Sequence, residues 1–320
     1  MSSIYPLAVA PMVDWTNTHF RVLMRILAPK ALLYTEMEPV HAVLLRKPRA
    51  IYFDPSEHPI ALQLGGCDAI LLATACKIAE EAHYDEVNLN LGCPSNRVKS
   101  GKFGAILMRD GKHVANCILA MKKATNLPIS IKMRTGVDEL DSYEYFKGLV
   151  KEFIDVGVDK IIVHARKAWL NGISPKKNRT LPPLQYGTVF KLREDFPHIE
   201  LILNGQVNSI ELIESALKHV DGVMLGRLFC HDPYAITSIH KYFYPAVNLP
   251  TRYEALKKYL AYAYTQAQKD IKLAILFKPI INMAHALPFA KKWKQALLKT
   301  IQQQNKAGIL ELIHAYDSLS

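Results

Sequence analysis

The 320-residue chain has no C-x-x-C pair, and its five cysteines (Cys67, Cys76, Cys93, Cys117, Cys230) are odd in number and scattered. A disulfide framework and a structural zinc site both need closer groupings, so neither is expected, and no metal is assigned. A reducing cytoplasm is the natural compartment for such a chain. There is no apolar run of roughly eighteen residues, the length a membrane-spanning helix needs. The opening stretch "MSSIYPLAVAPMVDW" lacks the basic and apolar regions of a secretory leader. No G-x-G-x-x-G turn follows an early strand, and "LGGCDA" is not that pattern, which counts against a doubly wound dinucleotide-binding sheet. Acidic residues are outnumbered, 29 against 40 basic, giving a net charge of +11. A charge of this sign and size draws polyanions to the surface.

What the chain does contain is a regular series of apolar runs bounded by turn residues. They are Leu7–Met12, Leu32–Met37, Ile60–Gly66, Glu86–Gly92, Pro128–Arg134, Lys160–Arg166, Ile199–Gly205 and Gly222–Arg227. Between them lie stretches with helical spacing, such as "AILLATACKIAEEAHY" and "SYEYFKGLVKEFIDVG", the second ending on a glycine suited to a C-terminal cap. Eight strands alternating with helices predict an α/β fold, a closed (β/α)8 TIM barrel over residues 1–240. From about residue 241 the pattern turns all-helical, with Pro250 and Pro288 near boundaries. From residue 250 onward eleven basic residues face four acidic ones, so most of the excess charge lies in this small C-terminal helical domain. A basic appendage on a barrel suggests a large polyanionic substrate held against the barrel mouth.

Barrel chemistry sits at the C-terminal ends of the strands. Glu36, Gln63, Asn88, Asn90, Cys93, Lys132, Arg134, His164, Arg166, Asn204 and Arg227 all fall there. One such residue is easily a satisfied rim position; the same placement on so many strands reads as one site. After strands seven and eight, Gly205 and Gly226 let backbone N–H groups approach an anion, and Arg227 adds a fork of donors. The phosphate this predicts belongs either to a substrate or to a phosphorylated cofactor such as FMN. "APM" (Ala10, Pro11, Met12) offers backbone groups and a small residue beside a flat ring. Gln63 offers a donor and an acceptor to a ring edge, and Lys132 a cation where a flavin gains negative charge on reduction.

Cys93 sits between Gly92 and Pro94 and has no metal-ligand partners at suitable spacing. As a nucleophile it would need a base, for which His164 is available, but the flavin arrangement would then be idle. As a general acid it fits: an ordinary thiol, with pKa about 8.5, is protonated at neutral pH. Hydride on one carbon of an activated C=C and a proton on the other complete a reduction. The basic loop "SNRVKSGKFG" behind it is expected to close over a substrate.

The motifs "APMVDWT", "LLYTEM", "ALQLGG", "NLNLGCPSNRVKSGKFGAILM", "IKMRTGVD", "HARKAWLNGISPKKNR", "LNGQV" and "DGVMLGR" together resemble the flavin-dependent tRNA-dihydrouridine synthases. "LLYTEM" and "HARKAWLNGISPKKNR" are similar to the A subgroup, which acts at uridines 20 and 20a of the tRNA D-loop; subgroups acting at 16 or 17 share the cofactor site. The resemblance implies reduction of uridine C5=C6, with FMN as cofactor and NADPH as reductant. It implies Cys93 as proton donor to C5, and Ala10, Pro11, Met12, Gln63, Lys132, His164, Asn204, Gly205, Gly226 and Arg227 around FMN. Gln206 stands where the family often has a second glycine, so only backbone contact is expected of it. Asn90 and Arg166 are implied at the target nucleotide. Lys176, Lys177, Asn178, Arg179, Lys291 and Lys294 are implied on tRNA, the last two in place of the family's usual arginines. Lysine keeps the charge but loses the bidentate fork. A small-pyrimidine reductase and a tRNA-binding module on a dead barrel are the rival readings, and a monomer is expected.

Overall fold

The computed structural model describes residues 3–46, 49–95 and 101–318. Eight parallel strands, β1 (Leu7–Val9), β2 (Leu32–Pro39), β3 (Ile60–Gly65), β4 (Glu86–Leu91), β5 (Ile129–Arg134), β6 (Lys160–His164), β7 (Glu200–Asn204) and β8 (Gly222–Leu225), pair in chain order. The ring closes where Leu7 pairs with Val223 and Val9 with Leu225. This is the closed barrel expected from the sequence. The first strand ends earlier than expected because Met12 turns back: its N–H donates to Thr16 Oγ1 at 2.9 Å and its carbonyl accepts from Thr16 N at 2.9 Å.

Alternation along the strands divides the core in two. Outward-facing Val87, Leu89, Leu91, Ile129, Ile131, Ile161 and Val163 pack under the helices. Inward-facing Ala8, Ala10, Leu32, Tyr34, Ala61, Ile162, Ile202 and Met224 form a separate apolar cluster inside the ring. On β3 to β5 most inward positions are instead polar: Gln63, Glu86, Asn88, Asn90 and Ser130, all at most 8 % exposed. The barrel interior is thus apolar on one side and hydrogen-bonded on the other.

The outer layer comprises α1 (Thr18–Leu27), α2 (Val40–Leu45), α3 (Ala69–Glu81), α4 (Gly111–Ala124), α5 (Tyr143–Asp155), α6 (Tyr186–Asp195), α7 (Ile210–Leu217), α8 (Arg227–His231) and α9 (Ala235–Phe243). Side-chain caps start several of them: Asn17 accepts from Phe20 N, Asp68 from Ile70 N and Leu71 N, and Ser142 from Tyr145 N. The glycine expected to stop α5 does so, Gly157 adopting φ +90°.

Four helices follow: α10 (Arg252–Gln268), α11 (Leu273–Phe277), α12 (Ala290–Gln302) and α13 (Leu312–Asp317). A capping box between Thr251 and Glu254 opens α10. The stretches read as two further long helices are broken. "LAILFKPIINMAHALP" is helical only to Phe277, because Pro279 brings no N–H and blocks the preceding turn. The last stretch interrupts after Gln302, where Gln304 takes φ +49°. These helices are fastened to the barrel. Tyr262 OH lies 2.8 Å from His19 Nδ1, Lys278 Nζ donates to the Asp14 carbonyl at 2.6 Å, and Asn282 Nδ2 donates to the Cys230 carbonyl at 2.8 Å. No helix among the described residues is long and apolar enough to cross a membrane.

Candidate active site

Cys93 lies just past the end of β4, half-buried, in a turn built by its own strand. The side-chain Oδ1 of Asn90 accepts from the backbone N–H of Cys93 at 3.0 Å and of Gly92 at 3.2 Å. An Asx turn of this kind fixes the thiol-bearing residue from three positions upstream. On the other side, Ala105 N donates to the Cys93 carbonyl at 2.9 Å, drawing the ends of the following loop together. Residues 96–100, the centre of the loop expected to close over substrate, lie outside the described residues.

Beneath and beside Cys93, cations gather. Lys132 on β5 is pushed down to about 7 by burial and by the Arg134 charge. Arg134 is 4 % exposed and lowered to about 9, by burial first and then by Arg179, Arg166 and Arg227. Among the described residues its guanidinium reaches only backbone carbonyls: Gly92 at 3.2 Å, Asn178 at 3.1 Å and Lys167 at 3.4 Å. His164 on β6 is buried and held far below the ordinary imidazole range, by burial and then by Arg134, Lys132, Arg166 and Arg227, so it is neutral. Arg227 is lowered by burial, then by Arg179 and Arg166. Among the described residues none of Lys132, Arg134, Arg166, Arg179 and Arg227 pairs with a carboxylate, and the Nε atoms of Arg166 and Arg179 are buried without a partner. Buried like charges with unused donors are costly unless an anion completes them.

The space for that anion is set by two glycines. A Cβ on Gly205, at φ +123°, would stand 2.9 Å from His164 Cδ2; one on Gly226 would stand 3.1 Å from Met12 Sδ and 3.2 Å from Ala10 Cβ. Gly205 is held by Tyr186, whose hydroxyl donates to its carbonyl at 2.5 Å. Asn204 Nδ2 donates to the Met224 carbonyl at 2.7 Å, bridging β7 to β8. Together with the unpaired guanidinium groups, this cradle fits the phosphate of a phosphorylated cofactor, the group expected there.

Several residues have tasks the sequence did not disclose. Ala10 N donates to the Leu225 carbonyl at 2.7 Å and both backbone groups of Met12 are used by Thr16, so these donors are spent and the site is offered their side chains. Gln63 is 1 % exposed; its Nε2 donates to Asn88 Oδ1 at 2.7 Å and its Oε1 accepts from Asn90 Nδ2 at 2.9 Å. Gln206, expected to act through its backbone, sits at φ +53° and accepts a side-chain bond from Arg166, whose other arm donates to the Pro182 carbonyl. Of the residues expected on a contact surface, Lys176 and Lys177 are exposed and Arg179 is half-buried. Asn178 corrects that expectation: it is fully buried, its Oδ1 accepting from Trp169 N at 2.8 Å and its Nδ2 donating to Trp169 O at 2.7 Å. It braces the loop because a side-chain amide can satisfy both backbone groups of one residue. Lys291 and Lys294 are exposed on α12, on either side of buried Trp293.

Sequence reasoning also missed Asp138. Its carboxylate accepts from Arg109 Nη2 at 2.9 Å and from Leu170 N at 2.8 Å, joining the segment after Cys93 to the loop carrying Lys176 and Lys177. Asp138 holds φ +47°, a left-handed conformation kept by these bonds. Only a D-E-x-D run hinted at it.

A closed (β/α)8 barrel bearing a thiol over a cationic, glycine-shaped cradle at its C-terminal mouth is the class that this geometry defines. The sequence model described as Dihydrouridine synthase (Dus) matches residues 8–319. The tRNA-dihydrouridine(20/20a) synthase of Xanthomonas campestris pv. campestris is 45% identical over 294 residues, covering 91% of this chain and 87% of that protein. The Synechocystis protein of the same name is 43% identical, covering 92% and 89%, and that of Shewanella oneidensis 39% identical, covering 98% and 93%. This chain belongs to the dihydrouridine synthase family. Among solved structures, a 2-naphthoyl-CoA reductase complex shares the fold with a TM-score of 0.56 at 10% identity, over 74% of this chain and half of that one.

Proposed function

We propose that the protein is a flavin-dependent oxidoreductase that reduces the C5=C6 bond of uridine in the tRNA D-loop, at positions 20 and 20a. FMN is the cofactor and NADPH the reductant in this reading. The observation that carries it is the half-buried thiol of Cys93 at the same barrel mouth as the unpaired cations around Gly205 and Gly226. Family membership over nearly the whole chain supports it. Arg227 with Gly205 and Gly226 holds the phosphate. Ala10, Pro11, Met12, Gln63, His164, Asn204 and Gln206 line the rest of the cofactor site, and Lys132 offers its charge to the ring.

When bound, the flavin supplies hydride for uracil C6. Cys93 keeps a proton on Sγ for C5, and the double bond is consumed as the C–H bonds form at C6 and C5. The thiolate left behind is reprotonated from solvent. Asn90 holds Cys93 at the required height, and its remaining amide N–H and Arg166 face the target nucleotide. A base must leave its stack to reach this depth, at a cost of a few kcal/mol. Backbone contacts by Lys176, Lys177, Arg179, Lys291 and Lys294 offset that cost, within a division into a catalytic barrel, residues 1–240, and a tRNA-binding helical part, residues 241–320. All five cysteines are free, in keeping with a cytoplasmic enzyme.

The test is dihydrouridine content, by mass spectrometry, of unmodified tRNA incubated with the protein, FMN and NADPH, beside Cys93→Ala. Product at 20 and 20a, lowered at least about a hundredfold by the substitution, is expected for loss of a general acid. Product at 16 or 17 overturns the position. No product from a flavin-loaded protein that NADPH reduces overturns tRNA as substrate and favours a small pyrimidine.

A further inference from the structure

The polar half of the barrel interior is a single directed chain of hydrogen bonds. At its lower end Glu86 receives Lys160 Nζ at 2.6 Å on one oxygen, and Tyr34 OH and Ser130 Oγ, each at 2.5 Å, on the other. Paired with an ammonium, a carboxylate only accepts. Ser130 must therefore spend its one proton downward, and can only accept from above. It does so from Asn88 Nδ2 at 2.7 Å. That turns Asn88 Oδ1 toward Gln63 Nε2 at 2.7 Å, and Gln63 Oε1 toward Asn90 Nδ2 at 2.9 Å. Asn90 Oδ1 is then left to receive the N–H of Cys93 at 3.0 Å.

The same sense follows from the opposite end. A backbone N–H only donates, so Asn90 must present oxygen to Cys93, nitrogen to Gln63, and so on down to Ser130. Two fixed ends, one that only accepts and one that only donates, are joined by four groups that each accept from the Cys93 side and donate toward Glu86. None of the three carboxamides can flip without leaving a buried donor facing a donor, which costs more than an ordinary lost bond.

We propose that Ser130 and Glu86, at the floor of the barrel, are positioning residues for the Cys93 thiol, acting through Asn88, Gln63 and Asn90. The chain sets the orientation of the Gln63 amide and holds the turn that carries Cys93, though neither floor residue touches substrate or cofactor. Placement of the thiol as an acid rests on the functional reading above; its mechanical placement by the chain does not.

The experiment therefore has two readouts. The first is the rate of Cys93 alkylation by iodoacetamide in the cofactor-free protein, mapped by peptide mass spectrometry. The second is kcat and KM for tRNA in the loaded enzyme. Ser130→Ala removes one link with little change in volume. Its expected result is an alkylation rate changed severalfold and kcat lowered about tenfold, equivalent to one buried hydrogen bond, with KM nearly unchanged. Ser130→Thr, which keeps the hydroxyl, restores both. Tyr34→Phe removes a bond of equal burial to the same Glu86 oxygen and, although Tyr34 also neighbours Ser130, breaks none of the links from Ser130 to Cys93, so it is expected to lower thermal stability while leaving Cys93 alkylation within about twofold of wild type. Should Ser130→Ala not fold, Ser130→Cys keeps the volume and weakens both bonds, and the same shifts are required of it. Unchanged alkylation in folded Ser130→Ala, or an equal change in Tyr34→Phe, overturns the proposal. A wild type that alkylates as expected but forms no dihydrouridine overturns the functional reading and leaves the chain standing.

Discussion

Binding of a phosphate-bearing ligand at the barrel mouth should take up a proton. Lys132 is held at about 7 by burial and the Arg134 charge, so at pH 8 only about a tenth of the molecules carry its proton. An anion seated among these cations favours the charged ammonium and returns it toward its ordinary value near 10, where it is fully protonated at pH 8. Uptake should therefore approach about 0.9 proton per ligand at pH 8 and about 0.5 at pH 7. The sign follows from linkage: the bound state holds the proton more tightly, so affinity falls as the pH rises above 7. It weakens by up to about tenfold per pH unit between roughly 7 and 10. The assay is titration calorimetry of the cofactor-free protein with FMN, repeated in two buffers of different ionisation enthalpy. Lys132→Met should lose nearly all of the uptake. Less than about 0.2 proton at pH 8, or the same uptake in Lys132→Met, would refute the reasoning.

Three further predictions rest on single geometries. Gly205→Ala forces a side chain into φ +123° and against His164 at 2.9 Å; a loss of about 1–3 kcal/mol in denaturant unfolding is expected, and unchanged stability would contradict the packing. Asn178→Ala strips both backbone groups of Trp169 of their partners, so limited proteolysis between residues 170 and 180 should accelerate, with about 1–3 kcal/mol lost locally. Lys291→Ala combined with Lys294→Ala should weaken tRNA binding for all sequences alike and reduce the slope of log affinity against log salt by about two; an unchanged slope would remove both from the phosphate contacts.

The barrel was legible because its signals are local and repeated. Each strand is an apolar run closed by turn residues, and polar groups recur where barrel chemistry belongs. The cationic cradle was legible only in part. Arg227 and the two glycines stand beside recognisable turns, whereas Arg134 and Arg179 converge on them from other strands and loops. Sequence could place Asn178 on a basic loop but not foresee that its amide would turn inward to satisfy Trp169. Glu86, Asn88 and Asn90 lie two apart in "EVNLN", so their shared face could be seen, but not whether that face met solvent or the barrel axis. The tail was overread as long helices because amphipathic spacing continued through Pro279 and past Gln302.

The fastening of the helical part to the barrel has a consequence for the speed of docking. Tyr262, Lys278 and Asn282 each grip a different segment: helix α1, the turn after β1, and helix α8. A basic module on a free tether would search for its partner separately and then wait for the barrel to follow. One bolted at three points offers both surfaces in a single encounter, with little left to order afterwards. Association should then follow one concentration-dependent phase, its rate set by charge and salt rather than by a slow rearrangement of the helical part.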